Sequence, residues 1–229
     1  MEPATGHAER EEPAANALAA GVEEWQTLRG LRARIETALA GHRRRLAEPS
    51  DRLAAAVLLL FVFRDGEVRL VLTKKTNTVP HHKGQFSFPG GTVEAADRSR
   101  VETALREAKE EIALDPALVD VVGLLDDTPT GGSNFVITPV VAIARAAPTL
   151  VPDGREIERV VEVPLCRLLD PAIYHEEWWE RAGARRRVVF FTLGPDVIWG
   201  ATGRILRDFL DLVFPPTRPL RPPPTPGSR

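Results

Sequence analysis

Three glutamates, Glu107, Glu110 and Glu111, fall at i, i+3 and i+4 in a stretch whose apolar residues Val101, Ala104, Leu105, Ala108 and Ile112 recur at helical spacing. At about 100° per residue, a helix from about Ser99 to Ile112 puts those apolar residues on one stripe, which packs on a sheet. The three carboxylates share a different side, within an arc of roughly 100°. Carboxylates so crowded repel one another unless positive charge sits among them. Hard divalent cations that take oxygen ligands, Mg²⁺ or Mn²⁺, suit such a set. Arg106, four residues before Glu110, is placed to hold a carboxylate or reach a phosphate. Upstream, Gly90-Gly91 lets backbone approach a metal or a diphosphate with no Cβ in the way. Taken alone, Glu-x-x-Glu-Glu is equally the pattern of a solvated acidic helix face.

The elements that must position this helix alternate along the chain. Trp25, Leu28, Leu31, Ile35 and Leu39 mark an amphipathic helix over 22–41, ending near Gly41. Leu53–Phe63 and Val68–Thr73 read as strands joined by the hairpin turn Arg64-Asp-Gly-Glu67. A short strand around Gln85–Phe88 leads into Pro89-Gly90-Gly91. Beyond the acidic helix, Val119–Leu125 and Val136–Ala144 read as strands and Val160–Val163 as a shorter one. Pro164–Leu169 begins a turn or short helix. Trp178–Glu180 and Arg187–Leu193 bracket a second hairpin, and a last helix runs from about Ala201 to Phe214; Thr202 reads as its cap and Trp199 as closing the core, with substrate contact as the alternative for this segment. Strands on a mixed sheet with helices at both ends imply an α/β sandwich.

The chain has 229 residues, 43% hydrophobic and 27% charged, with a formal net charge of −2. That suits one domain, 21–214, flanked by a disordered tail at 1–20 and a proline-rich disordered tail at 215–229. The charge balance points to no nucleic-acid and no membrane-surface partner. The single Cys166 cannot form an internal disulfide and sits in an apolar run, so it is expected to be a buried small hydrophobe in a reducing compartment. The acidic N-terminus lacks an apolar signal region, and the apolar run Leu53–Phe63 is too short to span a bilayer. The expectation is a soluble, cytoplasmic protein.

Gly91, Asp97, Arg106-Glu107, Glu110-Glu111 and Leu114 together resemble the Nudix box, Gly-x5-Glu-x7-Arg-Glu-U-x-Glu-Glu-x-Gly-U, which here covers 90–114. Asp97 stands where glutamate is usual, eight residues rather than seven separate it from Arg106, and Ala113 replaces the usual glycine. Alanine there is tolerable if the local backbone keeps a negative φ. The resemblance implies a Nudix-type α/β/α sandwich with a mixed β-sheet, and metal-dependent cleavage of a nucleoside diphosphate linked to another group. It implies Glu107 and Glu111 as first metal ligands, Glu110 as a further ligand or the base that activates water, and Arg106 as the residue that orients the glutamates. A carboxylate bonded to metal is a poor base. In several branches the base comes from a later loop, where Glu156 and Glu158 are candidates or plain surface charges.

Outside the box, Leu72-Thr73-Lys-Lys-Thr76 and His82-Lys-Gly-Gln-Phe-Ser-Phe-Pro-Gly-Gly91 resemble the coenzyme A pyrophosphatase branch. So do Asp126-Asp-Thr-Pro-Thr130, Val136-Ile-Thr-Pro-Val-Val141 and Ile198-Trp-Gly-Ala-Thr-Gly-Arg-Ile-Leu206. That branch implies a small-molecule, coenzyme A-like nucleotide substrate. Lys75, His82, Gly90 and Gly91 are the expected substrate-binding residues, and Lys74 and Lys83 are further cations for phosphate. Lys75 and Pro80 stand where the branch carries arginines. His81-His82 also reads as a loop cap or an exposed pair. Trp178-Trp179 reads as hairpin packing or as a rim of the substrate mouth. The resemblance leaves open a homodimer, another nucleotide substrate such as an oxidised deoxynucleoside triphosphate, NADH or ADP-ribose, and a non-catalytic nucleotide sensor.

Overall fold

The computed structural model describes residues 25–48, 50–76, 84–131, 133–181 and 183–215. Helix α1 (Leu28–Ala40) is capped by Thr27, whose hydroxyl accepts the Gly30 N–H at 3.0 Å. Strand β1 (Leu53–Arg64) turns back through Asp65 and Gly66, at φ 53° and 82°, into antiparallel β2 (Glu67–Lys75). A two-residue turn of that hand matches the twist of its strands, and Asp-Gly adopts it readily. Short strands β3 (Phe86–Ser87), on β2, and β4 (Gly90–Thr92), on β1, carry the chain to helix α2 (Arg100–Ile112). β5 (Val119–Leu124) and the two-residue β6 (Thr128–Pro129) pair antiparallel with β7 (Phe135–Ala144), which runs parallel to β1. β8 (Ile157–Pro164) pairs antiparallel with β2. Together these make a mixed sheet of eight strands among the described residues.

Both faces of β1 are buried. Leu58, Leu60 and Val62 share one apolar cluster with Ala104, Ala108 and Ile112 of α2. Leu59 and Phe61 belong to a second cluster with Leu31 and Ile35 of α1. Burial on both sides explains why this strand reads as an unbroken apolar run. After the one-turn helix α3 (Leu165–Leu168) comes a separate antiparallel sheet of β9 (Tyr174–Arg181), β10 (Ala184–Leu193) and β11 (Asp196–Trp199). Val189, Phe191 and Ile198 from this sheet join Phe209, Leu210 and Val213 of the last helix, α4 (Gly200–Val213), in the second cluster. The result is the expected α/β/α layering, with the three-stranded sheet added to the layer of α1 and α4.

Several local expectations change. β8 spans eight residues, longer than Val160–Val163 suggested. Cys166 is exposed, because only Leu165 and Leu168 of the single turn of α3 face inward. Thr202 does not cap α4. The N-cap is Trp199, with no side-chain bond, and the Thr202 hydroxyl donates to the Phe86 carbonyl at 3.2 Å. Trp199 is half-buried outside the core, its ring stacked near Phe190. Residues 1–24 and 216–229, with nearly all of both expected tails, and 77–83, with His82, lie outside the described residues. Among the described residues no helix is long and apolar enough to cross a membrane.

Ala113 is the clearest departure. It ends α2 at φ 55°, ψ 28°, the left-handed region, and its N–H bonds the Ala108 carbonyl. The backbone keeps the turn that glycine usually makes at this box position, with an alanine in it. A left-handed alanine costs about 1–2 kcal/mol, partly offset by the freedom glycine adds to the unfolded chain, so Ala113→Gly is expected to stabilise by about 0.5–1 kcal/mol. The readout is a higher urea midpoint at unchanged slope. A lower midpoint would show that the cap is not left-handed.

Candidate active site

The site is built where α2 crosses the β4–β1 edge. Ser99 caps the helix by accepting the Glu102 N–H at 3.2 Å. Of the two glycines of β4, Gly91 lets α2 approach and Gly90 lets β4 lie against β1. A Cβ on Gly91 would stand 2.4 Å from a Glu107 carboxylate oxygen, and one on Gly90 would stand 2.3 Å from the Ala56 carbonyl of β1. The Gly90 N–H donates to Glu111 Oε2 at 3.0 Å. Glu107 and Glu111, one helical turn apart, are thereby pressed against the same glycine pair.

The carboxyl of Glu111 is 8% exposed, with Lys75 Nζ 3.8 Å from its Oε1. Burial pushes it up to about 7, against the pull of Lys75 and the Gly90 N–H. Burial also raises Glu107, opposed by the Arg106 charge.

Arg106 ties the acids together. Its Nε and Nη2 donate to the two oxygens of Asp97, both at 3.1 Å, and Nη2 also donates to the Thr92 carbonyl at 3.0 Å. The same guanidinium lies 3.0 Å from Glu107 Oε1 and 3.2 Å from Glu110 Oε2. Asp97 also accepts the Thr103 hydroxyl and the Glu94 N–H, each at 2.9 Å. Arg106 and these donors hold the Asp97 carboxyl well below the usual carboxylate range. The aspartate that replaces the usual glutamate therefore still reaches Arg106 through two bonds. Glu110 is largely exposed and engaged by Arg106, so it stands at the rim of the site.

The segment after β7 completes the site. The N–H groups of Val151 and Asp153 donate to the Ile112 and Glu111 carbonyls, each at 3.0 Å, so the C-terminal end of α2 is tied to this loop. The Asp153 carboxylate accepts the N–H groups of Arg155, Glu156 and Ile157, an Asx turn that composition alone does not reveal. The Glu156 carboxylate then lies 3.7 Å from Lys75 Nζ. Glu158 is the extra residue of a β-bulge, between the pairs Lys74↔Arg159 and Lys75↔Ile157, and it is exposed. Lys75 thus bridges Glu111 and Glu156. Lys74 points elsewhere, with Nζ 3.5 Å from Asp196. His81, His82 and Lys83 lie outside the described residues.

Among the described residues no three aspartate, glutamate, histidine or cysteine side chains are grouped to hold a metal ion; Arg106 engages Glu107 and Glu110, and Lys75 faces Glu111. The chemistry of the pair nonetheless fits a hard divalent cation. One buried and one half-buried carboxylate lie against glycine backbone, and at 3.8 Å Lys75 compensates Glu111 only partly. In metal-free protein the raised Glu111 carboxyl binds its proton more tightly folded than unfolded. Its contribution to stability is therefore largest at low pH and falls as pH rises from about 4.5 to about 7. Thermal unfolding in chelator should show that fall, and Glu111→Gln should flatten it. An equally steep fall in the variant would assign the titration to another group.

With this geometry in place, comparison with known proteins supplies its class. The NUDIX domain family matches residues 52–185. Nudix hydrolase 22, chloroplastic, of Arabidopsis thaliana is 40% identical over 160 residues, which cover 67% of this chain and 52% of the plant protein, so the chain spans about half of that relative. The uncharacterized Nudix hydrolase NudL of Photorhabdus laumondii is 33% identical over 164 residues, covering 72% of this chain and 87% of its own. Among solved structures, the Nudix hydrolase RenU of M. smegmatis is 24% identical, with a TM-score of 0.44 over 52% of this chain and 74% of its own. On the sequence matches, the chain belongs to the Nudix hydrolase family.

Proposed function

We propose that the protein hydrolyses the diphosphate of coenzyme A or its derivatives in a metal-dependent reaction, giving 4′-phosphopantetheine and adenosine 3′,5′-bisphosphate. The observation that carries the diphosphatase reading is the pair of half-buried Glu107 and buried Glu111, held at Gly91 and Gly90 and braced by Arg106. These two glutamates are the assigned ligands of Mg²⁺ or Mn²⁺, with Glu110 available at the rim. When bound, the ion supplies charge neutralisation at the diphosphate oxygens. Gly90 and Gly91 leave room for those oxygens beside the backbone.

Water adds to one phosphorus, the bridging P–O bond breaks, and the water proton passes to a carboxylate. Glu110 and Glu156 are the candidates for that proton. Glu156 is the better placed of the two later-loop glutamates, because its loop is tied to the end of α2 and its carboxylate faces Lys75. Lys75 stands between Glu111 and Glu156, where an ammonium can meet a phosphate oxygen. The coenzyme A reading is supported by the sequence resemblance on both sides of the box.

The test is a substrate panel with Mg²⁺: coenzyme A, ADP-ribose, NADH and an oxidised deoxynucleoside triphosphate, with products separated. Coenzyme A is expected to be cleaved, and Glu111→Gln to lower turnover by at least about 100-fold with the fold intact. Intact coenzyme A beside another cleaved diphosphate would overturn the substrate. Full activity in Glu111→Gln would overturn the site.

A further inference from the structure

A second charged arrangement lies on the other face of the sheet. Lys74 follows Leu70 and Leu72 on the face of β2 that is turned away from α2. Its direct cross-strand partner on β8 is Arg159. Like charges placed opposite one another on a sheet are destabilising, so the pair needs a reason to stay together. Asp196, at the start of β11, supplies part of it. Lys74 Nζ lies 3.5 Å from Asp196 Oδ1, and Arg159 Nη2 donates to Oδ2 at 2.7 Å. Both cations also lie over the ring of Phe86, each 5.7 Å from its centroid. Phe86 is itself fixed, because its carbonyl accepts the Thr202 hydroxyl.

One carboxylate thus serves two cations, and the trio keeps one net positive charge. Among the described residues neither Lys74 nor Arg159 has another ion-pair partner. Both side chains remain partly open to solvent, as does Asp196. Lys74 is the immediate neighbour of Lys75, whose ammonium faces Glu111, so the corner and the acidic site share one end of β2 on opposite faces.

We propose that Lys74 and Arg159 form the subsite for a phosphate monoester on the nucleoside half of the substrate, with Asp196 holding the two cations side by side. The unused N–H groups of Arg159 and the Lys74 ammonium would donate to the phosphate oxygens. The proposal rests on the reading of the substrate as a nucleotide that carries a 3′-phosphate. The same trio could instead serve only to pin β11 to the main sheet, and the experiment separates the two roles.

Calorimetry would compare adenosine 3′,5′-bisphosphate with AMP on the wild type, Lys74→Gln, Arg159→Gln and Arg159→Lys. The wild type is expected to prefer the bisphosphate by roughly 10- to 100-fold. That preference should collapse in both glutamine variants and be partly kept in Arg159→Lys, which also serves if a glutamine variant fails to fold. The ratio of kcat/KM for coenzyme A over its 3′-dephospho form should fall in parallel. No preference in the wild type, or an unchanged preference in the variants beside a lowered Tm, would overturn the subsite. If coenzyme A is not hydrolysed while the binding preference and its loss are seen, the substrate reading fails and the subsite stands.

Discussion

The structure turns on one close approach: Glu107 lies against Gly91, where a Cβ would stand 2.4 Å from its carboxylate, and one turn on Glu111 accepts the Gly90 N–H. Holding two acids out of water is unfavourable unless positive charge is close by. Much of the surrounding architecture answers that demand. The apolar stripe of α2 presses the helix onto β1, Gly91 removes the steric barrier to Glu107, and the Gly90 N–H meets Glu111.

The charge compensation is layered. Asp97 fixes the Arg106 guanidinium from below through two bonds, while its remaining donors face Glu107, Glu110 and the Thr92 carbonyl. A planar fork suits this, since one arginine can serve several oxygens in a set geometry. On the other side Lys75, a single point charge, stands between Glu111 and Glu156. The loop from Val151 to Ile157 is no loose connection: it takes up two end carbonyls of α2 and is folded on Asp153. Helix, glycine strand and later loop therefore form one unit, with the proposed diphosphatase site at its centre.

Much of this was legible in the residues because it is governed by short-range rules. The apolar run from Leu53 had to be an interior strand, Asp65-Gly66 a tight turn, and the i, i+3, i+4 glutamates one side of a helix. Ser99 could be read as the start of that helix. What escaped depends on tertiary geometry. Alanine at 113 gives no hint that packing holds it left-handed, since the chain here overrides the residue's own preference. Cys166 looked interior from its neighbours, but a single helical turn buries only the residues three apart. Thr202 has the chemistry of a cap and spends its hydroxyl on β3 instead. Glu156 and Glu158 are indistinguishable in sequence, and only the bulge at Glu158 separates them. The corner of Lys74, Arg159 and Asp196 joins three strands distant in sequence, and nothing local announces it.

The central claim is that the pair Glu107 and Glu111 is a metal site, and Mn²⁺ binding measured by calorimetry, at pH 7.5 or above and without nucleotide, tests it most directly. The wild type should bind, and Glu111→Gln, with an unchanged far-ultraviolet circular dichroism spectrum, should bind at least about tenfold more weakly. Equal affinity in the two proteins would contradict the account.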